Sequence, residues 1–269
     1  MKKISGKWMG SWAGMVLVAV GAINLGAAPA HAQYYRFWRG VQRPDLTSSQ
    51  FEKGLNEKLL PATGDLFRTS VGIKSYQPVL FGKALTQLGH FPSEVALLTY
   101  KSEEAYQAYR ATAPGQAYGD LHFEIFQKDG SGSLVPELYR GTVKLEAAYD
   151  LVGRDVDWNQ GISQFKVYSR SGRFSDAKYL SSIRDHIEHV TEFSPKAAVL
   201  LIAKDYVLEY TLWSSRRSLD LANQTIVDTE ILDDLVEITS RTDLSIELHL
   251  GSSVREGQGV RYHQAGARH

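Results

Sequence analysis

The chain has no cysteine among its 269 residues. That excludes disulfides, thiolate chemistry, cysteine-ligated metals and a lipid-modified cysteine, so stability has to come from a buried core. An excess of charge of one sign is also missing, since 30 Lys and Arg balance 30 Asp and Glu. A neutral balance gives no broad attraction to nucleic acid or to an anionic membrane, and neither is expected as a partner. No glycine-rich phosphate loop, GxSxG elbow or repeated acidic metal loop occurs. Beyond residue 32, no apolar run is long enough to cross a bilayer core of about 30 Å.

What is present begins with an export-type amino terminus. Lys2, Lys3 and Lys7 form a basic start, Trp8 to Leu25 is apolar or small, and Ala30-His31-Ala32 places small residues where a signal peptidase reads. Gly21, Asn24 and Gly26 interrupt the apolar stretch, which argues against a retained membrane anchor. No Arg-Arg pair precedes it, which argues against a twin-arginine route. The expectation is cleavage after Ala32, a working chain that starts at Gln33, and a periplasmic or secreted location with no stable membrane anchor.

The remaining sequence reads as two copies of one plan. In the first, residues 33–150, a short aromatic strand at Tyr34–Arg39 precedes a helix with Phe51, Leu55 and Leu59 on one stripe, closed by Pro61 and Gly64. Strands follow at Val71–Phe81 and Glu94–Tyr100. Ser102 caps a helix whose first turn carries Glu103 and Glu104, and Pro114-Gly115 ends it. Leu121–Gln127 alternates like a strand, Asp129–Gly132 is a hairpin-type turn, and Leu138–Ala147 returns. In the second copy, residues 151–250, a strand at Gln164–Ser169 leads to a long helix capped by Ser175 or Asp176, with Tyr179, Ile183, Ile187 and Val190 at helical spacing. Ala197–Ala203 reads as a central strand. Tyr206–Trp213 alternates, with Tyr206, Leu208, Tyr210 and Leu212 on one face. Val227, Ile231, Leu235 and Ile238 mark a further helix, and Asp243–Leu250 the last strand. Residues 251–269 are polar and read as a disordered tail. The order strand, helix, strand, strand, helix, strand in each half predicts an α+β fold of two tandem ferredoxin-like units with antiparallel sheets.

The segment Glu94-Val-Ala-Leu-Leu-Thr-Tyr-Lys-Ser-Glu-Glu-Ala-Tyr-Gln-Ala-Tyr109 resembles the strand-to-helix joint of the dimeric α+β barrel superfamily, which includes antibiotic-biosynthesis-type monooxygenases and stress-responsive barrel proteins. The resemblance implies that the two sheets pair into a barrel within one molecule. It brings no catalytic set to this chain. Some relatives act on aromatic small molecules without a cofactor, and others bind haem.

Candidate sites are few. His186 and His189, at i and i+3 beside Asp185, Glu188 and Glu192, can approach one metal ion, yet the order His-Ile-Glu-His fits no zinc signature. A charge-laced helix face is the plainer reading, with His186 at the margin of the apolar stripe, and no metal site is assigned. His122 and Glu124 share a face of the expected strand, as an acid–base pair inside a barrel or as an ordinary polar pair outside it. His249 and Glu247 repeat that pattern. Tyr35 and Trp38 near the start, with Tyr210 and Trp213 in the second half, are candidates to line a ligand cavity or simply core. Catalytic residues stay unassigned, and no cofactor is called for by the residues. The leading expectation is an exported small-molecule-binding or accessory envelope protein that takes a small apolar or aromatic ligand. A cofactor-independent monooxygenase acting on an aromatic molecule is the alternative, and haem binding a further one.

Overall fold

The computed structural model describes residues 33–67, 73–81, 91–158, 160–170, 172, 174–226, 246–248 and 263–265. The expected export signal, the helix with Ile231 and His249 lie outside them.

In the first unit β1 (Tyr34–Gly40) leads to α1 (Ser48–Gly54), a π-helical turn (Leu55–Leu59) and α2 (Leu60–Phe67). Thr47 caps α1 reciprocally with Gln50. Pro61 and Gly64 were expected to close this helix, yet it runs on to Phe67. The wider turn just before Pro61 re-registers the backbone ladder where proline supplies no N–H. Then come β2 (Ile73–Phe81), β3 (Glu94–Tyr100), α3 (Glu103–Arg110), α4 (Ala113–Ile125) and β4 (Gly132–Leu134). β5 (Glu137–Leu138) and β6 (Ala147–Asp150) bridge to the second unit. That unit comprises β7 (Ile162–Ser169), α5 (Asp176–Glu192), β8 (Ala197–Ile202), β9 (Tyr206–Trp213), α6 (Arg216–Ile226) and β10 (Ile246–Leu248). A short β11 (His263–Ala265) follows within the stretch expected to be a disordered tail, and it pairs parallel with β2.

Strand order settles the fold class. The first sheet runs β11-β2-β3-β1-β4 and the second β10-β7-β9-β8-β6-β5. Numbered within its own unit, each contains the order fourth, first, third, second, with antiparallel neighbours. Two helical crossovers on one side of a four-stranded sheet generate that order, the ferredoxin-like topology. The chain therefore has two tandem ferredoxin-like units, as its order of elements predicts.

Three further sequence assignments are corrected. Leu121–Gln127 is not a strand, because residues 113–125 form α4. Thr112 accepts a hydrogen bond from the Gly115 amide, so Pro114-Gly115 opens a helix rather than closing one. The returning strand at Leu138–Ala147 is likewise absent. β4 completes the first sheet, and Ala147–Asp150 pairs antiparallel with β8 in the second.

Period-two alternation gives each sheet an inner and an outer face. The inner faces stack into one apolar core holding Tyr35, Phe37, Val95 and Leu97 of the first sheet against Phe165, Leu208, Tyr210 and Leu212 of the second. Tyr210 Oη donates to the Gln77 carbonyl at 2.7 Å, and Trp158 Nε1 donates to Tyr35 Oη at 3.2 Å. The space between the sheets is thus occupied by side chains. At one end Glu146, held at φ 55°, accepts from Arg39 of β1 at 3.1 Å and from the Lys204 amide at 2.9 Å. On the outer faces, α5 buries Tyr179, Ile183 and Ile187 on the second sheet, and α1–α2 with α4 cover the first.

Candidate functional site

The outer face of the first sheet carries Arg36 and Trp38 from β1, Tyr76 from β2, and Glu94, Leu98 and Tyr100 from β3. The hairpin α3–α4 crosses above them and leaves a cleft of about 250 Å³. Tyr106, Tyr109 and Arg110 of α3, and Tyr118 and His122 of α4, complete its walls.

Glu94 is fully buried, at 0% exposure. Its Oε2 accepts from Trp38 Nε1 at 3.1 Å and its Oε1 from Tyr76 Oη at 2.9 Å. Both donors lie on neighbouring strands at positions the pleat turns to the same face, which is why a carboxyl is tolerated in this apolar layer. Tyr118 is committed too. Thr63 Oγ1 donates to the Leu59 carbonyl at 2.8 Å, so the 2.7 Å contact between Tyr118 Oη and Thr63 Oγ1 has the phenol as donor. Burial pushes the Tyr118 and Tyr100 phenols above their usual range, and both stay protonated.

His122 packs edge-on against Trp38 and Tyr118, with ring centroids 4.8 and 4.7 Å away. Its Nδ1 lies 2.8 Å from the Tyr118 carbonyl. A carbonyl can only accept, so the proton sits on Nδ1, and Nε2 offers a lone pair at a residue that lines the cleft. Burial, aided by Arg110 and only partly offset by the Tyr118 carbonyl, pulls the imidazole pKa down to about 4. His122 is therefore neutral at physiological pH. Two cations complete the wall. Arg36 bonds Ser133 and lies 4.9 Å from the Tyr106 ring centre, and Arg110 donates to the Gly115 carbonyl at 2.9 Å. Gly119 makes room for Arg110, because a Cβ there would lie 2.2 Å from a guanidinium nitrogen. The arrangement can hold a flat, largely apolar molecule, balance partial negative charge on it, and offer it a hydrogen-bond acceptor at His122 Nε2.

The expected site residues scatter. Trp38 and His122 meet in the cleft. Glu124 does not join them: two residues apart on a helix point to nearly opposite sides, and Glu124 reaches solvent to pair with Lys58 at 2.6 Å. Tyr35 and Tyr210 belong to the core between the sheets. Trp213 faces the other way and packs on Leu219 and Ala222 of α6. Sequence reasoning missed Arg36, Tyr76, Glu94, Arg110 and Tyr118. Glu94 alone carried a signal, as an acid opening an otherwise apolar strand.

The second unit holds a separate polar cluster. His186, expected at the margin of its helical stripe, is 1% exposed. Its Nε2 lies 2.5 Å from Glu209 Oε2, its Nδ1 has no partner, and the Tyr168 ring stands edge-on 4.9 Å away. Lys166 faces Glu209 across β7 and β9. Burial pushes the Glu209 carboxyl up, but His186, Lys166 and His189 together outweigh it and hold it below the usual carboxylate range. Among the described residues, no group of three or more His, Asp or Glu is placed to hold a metal ion.

No protein-family model matches the chain, and no curated protein does. Solved structures similar to it include an anthrone oxidase-like protein (12% identity, 85% of this chain and 95% of that one, TM-score 0.41). A candidate monooxygenase of Fusobacterium nucleatum shares 9% identity over 79% of this chain and 88% of its own, with TM-score 0.38. A chlorite dismutase mutant from Candidatus Nitrospira defluvii shares 7% identity over 76% and 86%, with TM-score 0.32. The fold assignment rests on this chain's own strand order.

Proposed function

We propose that the protein is exported and binds a small, flat, largely aromatic molecule in the cleft between the first sheet and α3–α4. The observation that supports this most is the wall itself: aromatic rings from five elements surround a cleft in which Glu94, His122, Arg36 and Arg110 are the polar points. A mostly apolar hollow with a few converging polar groups is the usual form of a small-molecule site. Its volume of about 250 Å³ suits a compact ligand of one or two rings. The export part rests on the amino-terminal pattern of residues 1–32.

The test is a binding screen with mono- and bicyclic phenols and aryl carboxylates, read by tryptophan fluorescence. Trp38 lines the cleft, so binders should quench it, and Trp38→Phe should lose most of the response. Binders that act equally on both proteins would place the ligand elsewhere.

A second reading, cofactor-independent oxygenation of an aromatic substrate, is favoured by one feature. Neutral His122 presents Nε2 as a hydrogen-bond acceptor that can orient a bound phenol's hydroxyl. Oxygen uptake with a bound phenol, lost in His122→Gln while binding persists, would support an enzyme. Binding without uptake leaves a carrier or sensor.

Haem fits poorly. His186 has the chemistry of an axial ligand, a carboxylate-oriented imidazole with one free nitrogen, but the ring is sealed between Tyr168 and its own helix stripe. His122 is hemmed by Trp38, Tyr118 and Phe126.

A further inference from the structure

Gln33 is the residue that cleavage after Ala32 would leave at the amino terminus. It does not trail into solvent, being only 6% exposed. Its side-chain oxygen accepts two hydrogen bonds, from Tyr35 Oη at 3.2 Å and from the Val156 amide at 3.2 Å. Its side-chain nitrogen is buried and has no partner. Tyr35 Oη itself accepts from Trp158 Nε1 at 3.2 Å, so its own proton is directed to Gln33. Burial pushes this phenol up, which keeps the proton in place.

With two donors on its oxygen the carbonyl carbon is polarised toward a nucleophile, and no hydrogen bond anchors the amide nitrogen in place. Donors aimed at a carbonyl oxygen stabilise the charge that develops there when a nucleophile adds. We propose that the exported protein carries pyroglutamate at position 33, formed with the help of Tyr35 and the Val156 amide. The free α-amino nitrogen of Gln33 attacks its own Cδ and forms a five-membered lactam. The Cδ–Nε2 bond breaks, and Nε2 leaves as ammonia with the proton that the attacking amine gives up. No oxidant, reductant or further reactant enters.

The product suits the surroundings better than the reactant in three ways. The lactam keeps Oε1, so Tyr35 and Val156 retain their acceptor. The unpartnered buried amide nitrogen is gone. The positive charge of a free amino terminus, costly beside a buried layer, is removed as well.

The test is mass spectrometry of the protein purified after export with its own leader. The expected amino-terminal peptide starts at residue 33 and is lighter than its glutamine form by one ammonia. A peptide that starts elsewhere, or one that keeps intact Gln33 after long storage, overturns the proposal. The role of the fold is read from the rate at which freshly prepared Gln33 protein closes in buffer. Wild type should close several-fold faster than Tyr35→Phe and faster than wild type held unfolded in urea. Equal rates in all three would show that Tyr35 and Val156 contribute nothing. Because the unfolded wild type needs no substitution, this comparison stands even if Tyr35→Phe folds poorly.

Discussion

His122 gives the sharpest physical test. The perturbation is acid. The imidazole falls from its ordinary 6.5 to about 4 in the folded protein, mainly through burial. Between those values the unfolded chain binds a proton that the folded one refuses, so stability falls as pH drops. Loss begins as pH passes below 6.5 and levels off near 4. At about 1.4 kcal/mol per pH unit the full effect is about 3 kcal/mol, and contact of the cleft with water trims it to about 2 kcal/mol. The assay is urea unfolding of wild type and His122→Gln at a series of pH values from neutral to mildly acidic. Other groups titrate as well, so the quantity that counts is the difference between the two proteins. Wild type should lose about 1 kcal/mol more than the variant between neutrality and about pH 5, and about 2 kcal/mol more by about pH 4. The imidazole nitrogen signals should also report a neutral ring with its proton on Nδ1 at neutral pH. Parallel losses in the two proteins would refute the assignment, because His122 would then titrate alike folded and unfolded.

Leu55 and Ile183 sit on helical stripes sealed against opposite sheets, so Leu55→Ala and Ile183→Ala should each destabilise by about 2–5 kcal/mol in denaturant unfolding. A loss below about 1 kcal/mol would show that the stripe is not packed. Tyr210→Phe removes the donor to the Gln77 carbonyl between the sheets and should cost about 1–3 kcal/mol with little change in shape. Glu209→Leu leaves His186 without its hydrogen-bond partner and Lys166 without the carboxylate that faces it, for an expected loss of about 3–5 kcal/mol. Adding His186→Leu should cost less than the sum of the single changes, as a double-mutant cycle would measure. Gly119→Ala displaces the Arg110 guanidinium, and the test is affinity for aryl carboxylates. Weaker binding with thermal stability unchanged or slightly raised is expected, since alanine favours the helix over glycine by about 1 kcal/mol.

Much of the fold was legible because it depends on short-range periodicity. β9 alternates strictly, and the four residues expected to share one face, Tyr206, Leu208, Tyr210 and Leu212, all lie in the core between the sheets. Ser102 caps its helix as read, and of the two candidates Ser175 and Asp176 the cap is Ser175, each serine accepting from the amide three residues on. The failure came at Thr112-Ala-Pro-Gly, where one signal has two meanings. Proline with glycine ends a helix when it follows the last turn, and opens one when a capping residue stands just before it. Read as an ending, it turned the following residues into a strand and set His122 and Glu124 side by side. Read correctly, it separates them by more than half a helical turn.

The cleft was far less legible, and for a different reason. Its polar points come from β1, β3, α3 and α4, and none is distinctive alone. Glu94 matters because Trp38 and Tyr76 reach it from neighbouring strands, 56 and 18 residues away in sequence. His122 matters because burial keeps it neutral while its own helix fixes the tautomer. Aromatic residues show the same dependence on place. Tyr35, Phe37 and Tyr210 fill the inner face, where a second sheet closes over them, so they carry packing. Trp38 and Tyr100 alternate onto the outer face, where the helices meet in a bent α3–α4 hairpin. A hairpin broken at Thr112 cannot cover a flat sheet as fully as a second sheet does. A one-residue change of register thus decides whether a ring in this chain is structural or stands ready to meet a ligand.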